Sequence, residues 1–528
     1  MKRSIPATLA LAAVACLAGP QVRADVKPHA LFSDGMVLQR GMKCPIWGTA
    51  DPDEQVRVEF EVKKLLSTAA VGAGVSAGKD GKWKVVLELA PDLAGGPYTL
   101  TIKGKNTITL KNVYVGEVWI CSGQSNMEWP VSLTRNADEA IEKAKNPKIR
   151  LFTVPKNTSD KPLAGFKGDP KWSECNPDTV KGFSAVAYFF GRDLHKALNV
   201  PVGLIHTSWG GTRAEAWTSR PVLESHDEWK GEFPAYAKAK ANYPAALDKY
   251  IDDLKKYKET FKANPDTDAA PPAPPGFPRH ANSPSVLYNA MIAPLLPYAV
   301  KGAIWYQGES NAGKAYAYRK LFPTMIQNWR DDWKEGDFPF LFVQLAPWIS
   351  KGDKSDQTWA ELREAQLLTT RKLKNAGMAV ITDVGDANDI HPRKKEPVGA
   401  RLALAARALA YGQKIEYSGP IYKSMAVEGD KAVLTFGHIG KGLEAKGENL
   451  QGFTLAGEDN VFHPAEAEIK GDKVVVRSDK VAKPVAVRYG WSNNPTVNLW
   501  NKDGLPASPF RTDDLPTVTG PKAAGAAK

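Results

Sequence analysis

The sequence predicts an α/β protein in which a largely parallel sheet and its helices lie between two all-β units. Two rhythms carry that prediction. From about residue 112 to 413, apolar runs of strand length alternate with amphipathic helical segments, as strand–helix crossovers require. On either side the pattern changes to short period-two alternation broken by turn residues, which marks β-sandwiches. At 528 residues the chain also exceeds what one hydrophobic core supports, so several domains are expected.

In chain order, residues 1–24 read as a secretory leader. Lys2 and Arg3 form its charged start, Leu9 to Ala18 its apolar stretch, and Val22-Arg23-Ala24 a small-x-small cleavage site. The apolar stretch is too short to span a bilayer. Cys16 would allow a lipoprotein anchor, but Ala13 is a poor residue three positions before it, so export without an anchor is the expectation. No later segment reads as a membrane helix.

Residues 25–111 are expected to form a β-sandwich. Val56-Arg57-Val58-Glu59-Phe60-Glu61-Val62 alternates cleanly, as do Trp83 to Leu89 and Tyr98 to Ile102, with turns at Lys79 to Lys82 and Ala94 to Pro97. The middle region, 112–413, offers strands at Val113 to Ile120, Val202 to Thr207, Ala303 to Gln307, Phe340 to Leu345 and Met378 to Thr382. Helices are expected at Ser184 to Leu198, Tyr316 to Trp333, Trp359 to Leu373 and Val398 to Tyr411. An insertion at about 225–283 holds a charged helical stretch, Ala235 to Lys262, and a proline-rich loop, Asn264 to Pro278. Residues 414–515 return to alternation, as in Lys431 to Phe436 and Lys473 to Val476, and the small, polar tail 516–528 is expected to be disordered.

Composition narrows the chemistry. Cys44, Cys121 and Cys175 remain after the leader, too few for a disulfide framework, and Cys121 reads as a buried strand thiol. Net charge is +12, and loss of Lys2, Arg3 and Arg23 with the leader leaves +9. The lysines are spread among acids, with no basic run and no aromatic RNA-binding signature, so no nucleic-acid partner is expected. The surplus gives mild support to an anionic substrate. A His-Glu-x-x-His metal motif and a phosphate loop are both absent from the sequence.

The carboxyl ends of the central strands hold the chemistry. They read Gly123-Gln124-Ser125-Asn126, Ser208-Trp209-Gly210-Gly211-Thr212-Arg213, Gln307-Gly308-Glu309-Ser310-Asn311, and a last block leading into Asp386-Ala387-Asn388-Asp389-Ile390-His391. Ligands and substrates of open α/β sheets lie at this edge. These parts suit acyl transfer, with Ser125 attacking an acyl carbonyl and His391 taking its proton. Asp389 is placed to hold the imidazole, since residues i and i+2 of an extended segment face one side. The backbone N–H groups of Ser125 and of Gly210 or Gly211, with the Asn311 amide, are candidates to stabilise the oxyanion.

Gly-Gln-Ser-Asn-Met, Ser-Trp-Gly-Gly-Thr, Trp-Tyr-Gln-Gly-Glu-Ser-Asn and Asp-Ile-His-Pro, in that order, resemble the sialate O-acetylesterase family of the SGNH hydrolases. The resemblance runs from Leu31 to about Asp514, with Met36-Val37-Leu38-Gln39 and Asn498-Leu499-Trp500-Asn501 near its ends. It implies a flavodoxin-like catalytic domain between β domains, no metal or cofactor, and an O-acetylated carbohydrate as substrate. It also implies Ser125 as nucleophile, His391 as base, and Gly210 or Gly211 with Asn311 in the oxyanion blocks. The chain departs from the wider pattern twice. The aspartate usual three residues before the histidine is Asn388 here, leaving Asp389, Asp386 or a serine–histidine dyad. Position 213, often proline, is Arg213, which either contacts an anionic substrate or pairs with an acid. With Arg213, the flanking Gln124, Gln307 and Glu309 are candidate substrate contacts.

Each feature also has a plainer reading. A serine after a strand is usually a turn or cap, and His29, His195, His206, His226, His280, His438 and His463 are read as structural or exposed. Gly74-Val75-Ser76-Ala77-Gly78 fits a hydrolase elbow but lies in a β unit and is read as a loop. Trp129, Trp209, Trp217 and Trp305 flank the blocks, and one of them is expected to contact sugar. Acetylated sialic acid is the first substrate expectation and acetylated xylan or another polysaccharide the second. A noncatalytic carbohydrate-binding protein is the reading from another class.

Overall fold

The computed structural model describes residues 25–64, 67–265, 269–276 and 280–521. The leader reading and parts of the proline-rich loop and tail therefore lie outside the described residues. The fold is mixed α/β, with a large central sheet and several smaller β-sheets.

Strand β1 (Thr107–Gly123) organises it. Its first residues alternate between solvent and core, whereas every residue from Val113 to Gly123 is buried. The strand expected at Val113 thus begins six residues earlier. Thr107 to Leu110 pair antiparallel with Lys103 to Leu100, which joins strands Gln55–Lys64, Ser67–Ser76 and Gly95–Lys103 to the central strands in one hydrogen-bonded sheet, while Lys27–Pro28, Met42–Thr49 and Lys82–Leu89 form a separate three-stranded sheet. Ser76, in the elbow-like sequence, is not in a loop: it ends strand Ser67–Ser76, opposite Gln55.

The central strands are β2 (Asn146–Thr153), β3 (Val202–Ser208), β4 (Gly302–Tyr306), β5 (Phe340–Val343) and β6 (Ala376–Ala379). They lie in the order β2-β3-β1-β4-β5-β6, every neighbouring pair parallel. Periodicity names no strand at 146–153, because Arg150 interrupts the apolar run. That side chain is nonetheless buried, its guanidinium 4.6 Å from the Tyr114 ring centre. The chain leaves β1 for β2, returns to β3 beside β1, and crosses to β4 on the other edge. β1 therefore stands where the strand order reverses, and its carboxyl end opens on the crevice made by that reversal.

The helices are α1 (Ser125–Glu128), α2 (Ala185–Leu198), α3 (Glu232–Ala263), α4 (Ala315–Trp333), α5 (Thr358–Lys372) and α6 (Glu396–Leu409). α2 packs on α6 and α4 on α5. Ser184 caps α2 by accepting the Ala187 N–H at 3.2 Å. The insertion helix α3 buries none of its 32 residues, which agrees with its charged sequence. Trp217 and Trp305 are fully buried, with ring centres 6.1 Å apart, and serve packing rather than sugar contact.

From Ile421 onward three small sheets surround a separate apolar core that includes Leu434, Leu455, Val474, Val487 and Tyr489. Arg363 of α5 ties this region to the central one by donating to the carbonyls of Leu345, Ser492 and Asn493. The tail is not free along its whole length. Glu361 accepts the backbone N–H groups of Val518 and Thr519, so the segment up to residue 521 is held against α5. No described helix is long and apolar enough to cross a membrane.

Candidate active site

The site begins with a steric requirement at the end of β1. Gly123 has φ +141°, and a Cβ there would lie 2.1 Å from the Tyr306 carbonyl oxygen. Only glycine lets β1 and β4 remain paired to this point. The Gln124 N–H then donates to the Tyr306 carbonyl at 2.9 Å, and the chain turns into α1 with Ser125 first. The Gln124 side chain is buried and accepts the Ser310 N–H at 3.2 Å, linking the β1 and β4 loops.

Across the crevice, the loop after β6 delivers His391. Ser125 Oγ lies 2.9 Å from His391 Nε2, within reach for the hydroxyl to donate to the ring. Trp129 stacks on the imidazole, with ring centres 5.1 Å apart and planes 18° from parallel. Asp389 stands close without a hydrogen bond to the ring: its Oδ1 is 3.7 Å from Nδ1 and instead accepts the His391 backbone N–H at 2.8 Å. Asp386 turns to the Asn388 N–H at 2.9 Å. Burial holds the His391 pKa below its ordinary value; the Lys395 charge adds to this and Asp389 opposes it.

A cavity of about 590 Å³ opens over this pair, lined in part by Ser125, Glu128, Trp129, Lys156, His206 and His391. Gly210 stands beside the serine. A Cβ on it would stand 3.2 Å from Ser125 Cβ, and its N–H donates to Glu128 Oε2 at 2.7 Å. The other Glu128 oxygen is 2.5 Å from Lys156 Nζ, which lies 5.3 Å from the Trp209 ring centre. Gly211 has φ +73°, and a Cβ there would meet open space.

Several residues named at the strand ends bond to one another. Gln307 is fully buried, donating to Asn311 Oδ1 and the Thr212 carbonyl and accepting the Tyr318 hydroxyl. Arg213 pairs with an acid, its two terminal nitrogens 3.2 and 3.0 Å from the Glu232 carboxylate oxygens at the start of α3. Glu309 accepts the Asn126 amide at 2.6 Å, and burial raises its pKa. Asn311 accepts the Ala214 N–H and gives one amide hydrogen to Glu215 at 2.9 Å. The reason is common to all: these polar groups occupy the joints between strand ends, where buried polar atoms must find partners.

Sequence reasoning assigned no role to Asn126, Glu128, Lys156 or Lys395. Asn126 stood inside a recognised block. Lys395, in Arg393-Lys394-Lys395, reads as one more surface lysine, yet it is 1% exposed. Cys121 is buried and burial pushes its thiol pKa well up, which removes it as a competing nucleophile. Among the described residues no group of acids, histidines and cysteines is arranged to hold a metal.

Comparison with known proteins identifies the family. The profile of the carbohydrate esterase, sialic acid-specific acetylesterase family matches residues 115–257 and 279–407. The sialate O-acetylesterase of Mus musculus is 30% identical, over 90% of this chain and 92% of its own. The Homo sapiens sialate O-acetylesterase is 32% identical, over 91% of both. Among solved structures, a carbohydrate acetylesterase from Xanthomonas citri superposes with a TM-score of 0.78 at 40% identity, covering 93% of this chain and all of the other.

Proposed function

Since the chain belongs to the sialic acid-specific acetylesterase family of carbohydrate esterases, and is a carboxylic ester hydrolase acting on acetylated sugar, we propose that Ser125 and His391 remove the acetyl group through an acyl-enzyme. The observation that carries the proposal is the 2.9 Å contact between Ser125 Oγ and His391 Nε2 at the floor of an open cavity. That contact also weighs against a binding protein with a decayed core.

In the first half-reaction Ser125 Oγ bonds to the acetyl carbonyl carbon while His391 Nε2 takes its proton. The tetrahedral intermediate collapses, and the sugar oxygen leaves with that proton. Water then repeats the sequence against acetyl-Ser125, with His391 again as base, releasing acetate. The negative oxygen is assigned to the N–H groups of Ser125 and of Gly210 or Gly211, with the Asn311 amide hydrogen not given to Glu215. Glu128 must swing from the Gly210 N–H for that donor to serve, and Lys156 offers its carboxylate an alternative partner. Asp389 acts on the ring through charge and by fixing the His391 backbone.

Acetylated sialic acid is the first substrate, as in the two mammalian relatives. Acetylated xylan or another polysaccharide is the second reading; the 40%-identical Xanthomonas citri protein is named only a carbohydrate acetylesterase. In fold terms the proposal is a flavodoxin-like hydrolase domain at 112–413 between β domains at 25–111 and 414–515. The parallel pairing supports it, although β1 runs unbroken through the first boundary. Export rests on the leader sequence alone.

The test is acetate release from O-acetylated sialic acid and acetylated xylan side by side, with Ser125→Ala as control. Serine-dependent release from one substrate identifies the sugar; release that survives Ser125→Ala, or none from any acetylated sugar, overturns the proposal.

A further inference from the structure

Behind the serine–histidine pair lies a buried group that the acyl-transfer steps do not use. Lys395 directly precedes α6, yet its side chain turns inward and is 1% exposed. Its ammonium donates to Asn126 Oδ1 and lies 5.4 Å from the Tyr306 ring centre and 5.7 Å from that of Trp129, the ring on which His391 stacks. The Asn126 amide nitrogen completes a bridge, donating to Glu309 Oε1 at 2.6 Å and to the Ile390 carbonyl at 3.0 Å. One carboxamide thus joins four elements: the turn carrying Ser125, the residue before His391, the β4 loop acid, and Lys395.

A lysine is buried at large desolvation cost, which by itself weakens the fold. An apolar side chain of similar volume would pack here with less penalty, so the charge calls for another account. The histidine supplies it. Its ring has no hydrogen bond to Asp389, and what fixes it is the Trp129 stack and the Asn126 bond to the Ile390 carbonyl. We propose that Lys395 is the positioning residue of this site: through Asn126 it locks the Ser125 turn to the His391 loop.

The inference rests on the Ser125–His391 reading. Lys395 and Asp389 act on the His391 pKa in opposite directions, Glu309 acts on Lys395 from behind, and Glu128, Lys156 and His206 line the same cavity as the ring. Burial lowers the Lys395 pKa to about 7, with Glu309 and Asp389 acting to raise it.

The test is kinetics on an acetyl ester for Lys395→Met and Lys395→Gln, with full pH–rate profiles and Ser125→Ala alongside. Lys395→Met removes both the donor and the charge. It is expected to lose roughly 10- to 100-fold in kcat with KM within about twofold, as for a displaced catalytic pair. Lys395→Gln keeps a donor for Asn126, so its kcat loss is expected to stay under roughly tenfold. In both variants the acid limb should move to higher pH, by roughly half a unit or more, because the charge that disfavours imidazolium is gone.

A merely structural lysine would change thermal stability and leave the acid limb in place, and that result overturns the proposal. Should Lys395→Met fail to fold, Lys395→Gln decides alone. If Ser125→Ala is inactive while both Lys395 variants match wild type, the lysine proposal falls and the catalytic reading stands. If Ser125→Ala keeps its activity, both fall.

Discussion

The two walls of the active site are built by different means. On the serine wall the backbone does the work: β1 is buried from Val113 to Gly123, and Gly123 allows a strand contact that no other residue permits. On the histidine wall there is no strand or helix at the functional residue. The Asp389 and His391 side chains are 44% and 30% exposed, and the loop is held by a ring stack, a carboxylate on a backbone N–H, and a buried amide. The nucleophile is therefore fixed by main-chain sterics and the base by side-chain contacts. Substitutions on the first wall should fail through geometry, and those on the second through orientation and charge.

The largest expected effect is at the base itself. His391→Ala should lower kcat by roughly 10³-fold or more, since a triad member's loss leaves only binding and oxyanion stabilisation. Steady-state acetate release measures it. The neutral ring is the active form, so activity is lost as pH falls through the His391 pKa. Because that pKa is held below the ordinary 6.5, the wild-type acid limb should lie below pH 6.5. A limb above pH 7 would count against His391 as the base.

Next comes the serine wall. Gly210→Ala puts a methyl 3.2 Å from Ser125 Cβ and 3.3 Å from Glu128 Oε2. Because Glu128 can move and the serine cannot, kcat should fall roughly 10- to 100-fold with little change in melting temperature. Wild-type kcat in this variant would show that the added methyl is taken up without displacing Ser125.

Asp389→Asn sharpens the contrast between the walls. Asparagine still accepts the His391 backbone N–H, and the carboxylate makes no hydrogen bond to the ring, so the loss in kcat should stay under about tenfold rather than the ~10⁴ seen when a hydrogen-bonded triad acid is neutralised. Its acid limb should move to lower pH, opposite in sign to the Lys395 variants, because an anion favouring imidazolium is lost. A 10⁴-fold loss would mean that the acid closes on the ring during turnover.

Arg213→Ala should do least to turnover. Its hydrogen-bonded partner Glu232 belongs to an insertion helix without buried residues, so kcat should stay within about twofold, but stability should fall by more than the ~1 kcal/mol of a surface pair, because the buried Glu215 carboxylate 3.7 Å away loses its counter-charge. Thermal melts with kinetics check both, and a raised KM for an anionic sugar would restore Arg213 to the substrate.

How much of this was legible in the sequence follows the same division. Apolar runs located five of the six parallel strands, and the blocks at their ends located Ser125 and His391. β2 escaped because Arg150 broke a pattern whose burial depends on Tyr114, far away in sequence. Gln307, Glu309 and Arg213 were read as candidate substrate contacts, yet each bonds to neighbouring residues, since a polar residue at a strand end looks alike whether it faces substrate or closes a joint. Lys395 could not be read at all: nothing in a lysine-rich segment tells which ammonium turns inward.

The central claim is that the acetyl group passes through Ser125. Rapid acid quench of wild type during turnover of an acetylated sugar, followed by peptide mass spectrometry, tests it most directly. The expected result is an acetyl adduct on the peptide carrying Ser125, absent from Ser125→Ala, which should not turn over. Sustained turnover by Ser125→Ala, or by wild type with the adduct on another residue, would contradict it.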